Sequence, residues 1–79
     1  MVSEDQLKVV IGAMLDIDAA AIDMSTSTDT VPQWDSLRHM NMVIALEESF
    51  GISFPDDEVT TLTSYPIIKA AIEEQLAGG

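Results

Sequence analysis

Ser36 stands where a polar loop gives way to an apolar helix, and its hydroxyl is well placed for chemistry. Residues 23–33 are mostly Ser, Thr, Asp and Pro, whereas residues 37–50 have helical apolar spacing. Asp35 before such a run is typical of a helix N-terminus. Free backbone N–H groups and the helix dipole favour an anion there. The position therefore suits a phosphate ester formed on Ser36, although an ordinary capping role remains the alternative.

Other side chains that could act in catalysis or metal binding lack the partners that these functions need. His39 is the only imidazole, and no nucleophile, base and orienting acid share matched spacing. We therefore expect no catalytic residue and a half-buried or partner-facing His39. The pair Asp16 and Asp18 begins like a calcium loop, but the required Gly and terminal Glu are missing. We expect no metal site.

Composition predicts one small folded domain over residues 1–79. The chain is 47% hydrophobic and contains no Cys, so it has neither a disulfide nor a thiol of its own. Fourteen acidic residues face three basic ones, giving a net charge of −11. This charge disfavours nucleic acid and anionic membranes as partners. It favours partners with basic patches, or it serves only to keep a small domain in solution.

The sequence shows neither a membrane-span pattern nor a secretory-signal pattern. No apolar run approaches the length of a membrane span. Residues 1–15 carry Glu4 and Asp5 and lack the basic start of a secretory signal. We expect a soluble, cytoplasmic protein.

The first helix is predicted to begin at Ser3 and to end near Asp16. Ser3 and Gln6 have capping-box spacing. Gly12 weakens the helix, which is tolerable if another helix packs closely there. The apolar residues that share one face are Leu7, Val10, Ile11, Met14 and Leu15.

A long loop and three further helices follow. We expect residues 17–34 to be ordered, because scattered apolar side chains can hold them to the core; these are Ile17, Ala21, Ile22 and Met24. The next helix spans 36–50 with Gly51 as its C-cap. A short helix starts at Pro55, and the last runs from 63 or 64 to 76, with 77–79 frayed. The prediction is an all-α four-helix bundle, with three main helices and one short helix.

The helix at 36–50 carries two apolar stripes, which is more than one buried face needs. The first stripe comprises Met42, Val43, Leu46 and Phe50. The second comprises Leu37, Met40 and Ile44. We expect Leu37 to be partly buried and the other two to be partly exposed, where they would meet a partner. Methionine suits a surface that meets several partners.

The chain resembles the acyl carrier proteins over almost its whole length. The segments that carry the resemblance are Val10-Ile11-Gly12, Asp35-Ser36-Leu37, Ala45-Leu46-Glu47-Glu48, Phe54-Pro55-Asp56-Asp57-Glu58 and Leu62-Thr63-Ser64. The triplet at Ser36 alone is a weak signal, because many capped helices have it. Its placement in a small acidic helical domain, with the later segments in register, is a strong one.

The resemblance implies a non-catalytic carrier with a covalent cofactor. Ser36 would hold 4′-phosphopantetheine through a phosphodiester, installed from coenzyme A by a phosphopantetheinyl transferase. The terminal thiol would carry acyl groups as thioesters, which supplies the sulfur that the chain lacks. Acyl-loading, condensing or acyl-transferring enzymes with basic docking patches would be the partners of a monomer.

The resemblance also assigns roles to individual residues. Asp35 would flank the attachment point and help the transferase place its metal and phosphate, and Leu37 would contact the arm. Three acids would meet basic partner surfaces, and these are Glu47, Glu48 and Asp56. Ile44 matches an apolar position of the same recognition helix.

Three positions depart from the family pattern. Arg38 and Asn41 stand where many fatty-acid carriers have acids, and Trp34 replaces a small residue. Trp34 would pack the loop or rest against the arm, and packing is favoured because Trp buries a large area. We therefore expect a stand-alone carrier of a specialised pathway, such as polyketide or modified-lipid synthesis. A peptidyl or aminoacyl carrier and an unmodified acidic interaction module remain alternatives.

Overall fold

The computed structural model describes residues 3–78, and the regular secondary structure in this range consists of helices joined by loops. The helices are α1 (Glu4–Leu15), a 3-10 turn (Ala19–Ala21), α2 (Ser36–Phe50), α3 (Asp56–Val59) and α4 (Tyr65–Gly78). The predicted all-α bundle of three main helices and one short helix is confirmed. No helix among these residues is long and apolar enough to cross a membrane.

The core lies between α1, α2 and α4. Its members are Leu7, Ile11, Leu15, Ile22, Val31, Trp34, Met42, Val43, Leu46, Phe54, Leu62, Tyr65, Ile68, Ala71 and Ile72. The first stripe of α2 supplies three of them, as predicted, while Phe50 packs half-buried at the edge. Because so small a domain has one core, most of its large apolar side chains are used in it.

Both ends of α1 follow the sequence signals. Ser3 Oγ accepts a hydrogen bond from the N–H of Gln6, and Asp16 ends the helix in the left-handed conformation. Gly12 is buried, but the close packing that explains a glycine here differs from the predicted contact with another helix. A Cβ there would lie 2.6 Å from the carbonyl oxygen of Ile17, so the following loop, and not another helix, requires the glycine.

The loop between α1 and α2 is ordered, but only part of its predicted anchoring is correct. Ile22 is buried and Ile17 is half-buried, whereas Ala21 and Met24 are exposed. Backbone hydrogen bonds also hold the loop in place. The N–H of Tyr65 donates to Thr26 at 2.8 Å, and the N–H of Thr28 donates to Thr63 at 3.0 Å. The loop is thereby tied to the start of α4.

The last helix is longer than predicted. It continues through Gly78, so the predicted end near residue 76 is wrong, and residue 79 lies outside the described range. Gln75 Nε2 donates to the carbonyl oxygen of Ser53 at 2.9 Å, which fixes the penultimate turn. Ile68, Ala71 and Ile72 are buried as predicted, whereas Leu76 is exposed.

Candidate functional site

Ser36 is the first residue of α2, and its side chain is exposed. Asp35 is the N-cap, and its Oδ1 accepts a hydrogen bond of 2.9 Å from the N–H of Arg38. The carboxylate of Asp35 therefore does the capping that a serine could have done. No described residue makes a hydrogen bond to the hydroxyl of Ser36. This hydroxyl is free to react and lies at the N-terminus of a fifteen-residue helix.

An open groove of about 530 Å³ lies beside Ser36. Its walls come from the loop, from the first turns of α2 and from the α3 region. The lining residues are Thr28, Trp34, Asp35, Ser36, His39, Met40, Val59, Thr60 and Thr63. A flexible group attached to Ser36 would have this groove within immediate reach.

Trp34 and His39 form one wall of the groove and are bonded to each other. Trp34 Nε1 donates to His39 Nδ1 at 3.0 Å, and the two rings stack with centroids 6.1 Å apart. His39 Nε2 lies 2.8 Å from the carbonyl oxygen of Val59. Trp34 is only 8% exposed, so its packing role is confirmed, although it also borders the groove. His39 is half-buried, which is one of its two predicted states.

The second stripe of α2 is exposed along its whole length. Met40 and Ile44 are exposed as predicted. The predicted partial burial of Leu37 is wrong, because its side chain is 72% exposed. The apolar side chains of the loop nearest to Leu37 in sequence, Val31 and Trp34, are buried in the core and leave Leu37 uncovered. Leu37, Met40 and Ile44 together make an apolar stripe beside Ser36.

The charged candidates fall into two regions. Arg38 is half-buried and Asn41 is exposed, and the first turn of α2 contains no acid. Glu48, in the last turn of α2, and Asp56, at the start of α3, are exposed. Glu47 differs from them because its half-buried carboxylate accepts a 2.7 Å hydrogen bond from the N–H of Phe54.

Sequence reasoning missed several groove residues. Thr28, Val59, Thr60 and Thr63 were not predicted to lie near Ser36, and His39 was not assigned to its site. No local pattern marks them, because contacts between distant parts of the chain bring them together. Over residues 3–78, no three His, Cys, Asp or Glu side chains are grouped so as to hold a metal ion.

Comparison with known proteins identifies the family. No family model matches the chain. The acyl carrier protein of Clostridium acetobutylicum is 36% identical over 74 residues, covering 89% of this chain and 96% of that protein. The acyl carrier protein of Campylobacter jejuni strain RM1221 is 36% identical over 62 residues, covering 78% and 80%. The chain belongs to the acyl carrier protein family.

A solved structure agrees with this assignment. The solution NMR structure of the holo acyl carrier protein from Geobacter metallireducens has a TM-score of 0.83 and 28% sequence identity. The match covers 98% of this chain and 88% of that one. The resemblance inferred from the sequence is confirmed at the level of family and fold.

The residues present fit a phosphodiester-linked prosthetic group. The exposed hydroxyl of Ser36 could supply the ester oxygen of such a group, and the N-terminal N–H groups of α2 would favour its negative charge. Arg38 adds a positive charge within the first turn. The groove offers apolar contacts from Trp34 and Met40 to the rest of such a group.

Proposed function

We propose that this chain carries acyl groups as thioesters on 4′-phosphopantetheine attached to Ser36. The observation that carries the proposal is the exposed, unbonded hydroxyl of Ser36 at the start of α2, next to an open groove. Asp35 caps the helix, so the serine is not needed for that purpose. A phosphopantetheinyl transferase would supply the group from coenzyme A.

When bound, the group supplies a terminal thiol on a flexible arm, which this cysteine-free chain cannot supply itself. The chain contributes position and charge. Ser36 provides the attachment oxygen, and the N-terminal end of α2 stabilises the phosphodiester charge. Asp35 keeps this turn of α2 in place, while Leu37 and Met40 offer apolar contact beside the attachment point. The chain itself performs no catalysis.

Partner recognition would use two surfaces. The apolar stripe of Leu37, Met40 and Ile44 would be covered by apolar side chains of a partner. The exposed acids Glu48 and Asp56 would meet a basic patch. Glu47 would contribute charge, although its carboxylate also serves the fold.

Arg38 and Asn41 support a specialised role. An acid-free first turn in α2 gives poor charge complementarity to partners selected for acidic carriers. We propose a monomeric, cytoplasmic carrier of polyketide or modified-lipid synthesis ahead of a general fatty-acid carrier.

Intact-mass measurement tests the proposal. The protein is incubated with coenzyme A and a broad-specificity phosphopantetheinyl transferase, and we expect a gain of one phosphopantetheine. Ser36→Ala should abolish the gain. Ser49→Ala, which removes an exposed hydroxyl at the other end of α2, should retain it. No gain with an active transferase would favour an unmodified interaction module, and native loading with an amino acid would favour an aminoacyl carrier.

A further inference from the structure

Trp34, His39 and Val59 form a continuous connection from the loop, across α2, to α3, which we call the His39 bridge. A carbonyl oxygen only accepts hydrogen bonds, so His39 Nε2 must carry the proton that it donates to Val59 at 2.8 Å. His39 Nδ1 is then free to accept from Trp34 Nε1 at 3.0 Å. Both nitrogens of the neutral imidazole are satisfied, so the tautomer and the ring orientation are fixed by the fold.

The bridge stands between the groove and the interior. A group attached to Ser36 has three routes: outward into solvent, along the groove, or inward between α2 and α3. The inward route would have to enter the core, where Met42, Leu46 and Leu62 are fully buried. On that route it would have to pass the hydrogen bond that joins α2 to α3 at His39 and Val59. Opening this passage would break the hydrogen bond between two part-buried polar groups, which is unfavourable.

We propose that the His39 bridge determines cargo specificity by closing the interior of the bundle to the acyl group on Ser36. This inference rests on the proposed carrier function. The cargo then remains in the groove beside Ser36, which is open to solvent and therefore leaves part of a long chain uncovered. The carrier therefore favours short acyl groups, because a long alkyl chain would extend into water at a cost proportional to its exposed area.

The chain contains its own reporters for a test. Trp34 is the only tryptophan, and it borders the groove. Acetyl and octanoyl forms can be made with a phosphopantetheinyl transferase, which transfers the acyl-4′-phosphopantetheine group of a synthetic coenzyme A thioester to the Ser36 hydroxyl and releases adenosine 3′,5′-bisphosphate. Intact mass confirms loading, and the thermal midpoint and the amide chemical shifts of both forms are then compared.

In the natural sequence we expect the acetyl and octanoyl forms to melt at the same temperature. Their shift differences should be confined to groove residues, with the Trp34 indole resonance and the Val59 amide affected. A higher midpoint for the octanoyl form, with shifts at Leu46 and Leu62, would show entry into the core and would overturn the inference. Failure to gain mass would instead contradict attachment at Ser36, so the two failures are distinguishable.

Removing the His39 bridge should make the thermal midpoints of the acetyl and octanoyl forms differ. In His39→Ala the octanoyl form should melt about 4 °C or more above the acetyl form, because the chain now gains buried contacts in the folded state. Asn41→Ala, an exposed change on the same helix, should behave as the natural sequence does. Equal midpoints in a folded His39→Ala protein would contradict the closing role of the bridge. If that variant does not fold, the comparison in the natural sequence still decides the question.

Discussion

The backbone N–H of Phe54 donates a 2.7 Å hydrogen bond to Oε2 of Glu47, which joins the last turns of α2 to the segment before α3. Phe54 is a core residue, and its N–H lies in a part-buried position. Glu47 therefore holds the chain in place where it turns from α2 towards α3. A residue expected to contact partners has a structural role as well.

Glu47→Ala should lower the free energy of unfolding by about 1–2 kcal/mol, because the N–H of Phe54 loses a charged acceptor. Urea denaturation measures the effect. The matched control is Glu48→Ala, which removes the same charge from an exposed side chain and should change stability by no more than about 0.5 kcal/mol. Equal effects of the two substitutions would show that only net charge matters here.

Gly12→Ala should destabilise the protein by about 1–3 kcal/mol, although alanine is the better helix former. The new Cβ would lie 2.6 Å from the carbonyl oxygen of Ile17 and 3.3 Å from the N of Ala19, so the backbone must move. Thermal or urea unfolding measures whether the substitution lowers or raises the free energy of unfolding. Ala13→Gly at the exposed neighbouring position isolates helix propensity and should cost about 1 kcal/mol. A stabilising Gly12→Ala would refute the close approach of the loop.

Tyr65 should make stability fall at alkaline pH. Burial, followed by its hydrogen bond to Glu4 and the charge of Glu4, raises the pKa of Tyr65 from 10.0 to about 12. The unfolded chain ionises first, so this contribution is complete below pH 10 and is lost as the pH rises through about 12. The loss approaches about 2–3 kcal/mol at 1.36 kcal/mol per pKa unit.

Absorbance titration of the single tyrosine measures this directly. The control is Tyr65→Phe, which retains the lysines that also titrate at alkaline pH. It should lose only the part of the fall in stability that comes from ionisation of Tyr65. Titration of the folded protein at the ordinary tyrosine pKa would contradict the account.

Arg38→Asp should improve loading or elongation by enzymes of fatty-acid synthesis, because it restores an acid where many of their carriers have one. Steady-state kcat/KM with holo protein as the substrate is the measurement. Lys69→Asp makes the same charge change on α4, at a residue that does not line the groove beside Ser36, and should have little effect. Unchanged kinetics for Arg38→Asp would remove the argument for a separate partner set.

Added salt should raise the thermal midpoint at neutral pH. The net charge of −11 on 79 residues produces self-repulsion in the folded state, and mobile ions screen it. Calorimetry in sodium chloride from low to physiological ionic strength tests this, with an equal osmolality of a neutral solute as the control. A midpoint that does not respond to salt would show that repulsion contributes little to stability.

The sequence alone predicted the helices and singled out Ser36 as the candidate attachment residue, because local signals mark both. Asp35 and Gly51 bound α2 as predicted, since a cap and a left-handed residue act within a few positions of the helix end. Ser36 was proposed as the attachment residue from its place at that boundary together with the resemblance to acyl carrier proteins. Apolar spacing likewise predicted the buried faces of α1 and α2.

Only the tertiary structure decided what surrounds Ser36. Leu37 was expected to be partly buried, yet the loop returns to the core elsewhere and leaves it exposed. His39 and Val59 are twenty residues apart, and their hydrogen bond arises because α3 packs beside α2. Hydrophobic spacing tells which face of a helix is buried, but it carries no information about which distant segment covers that face.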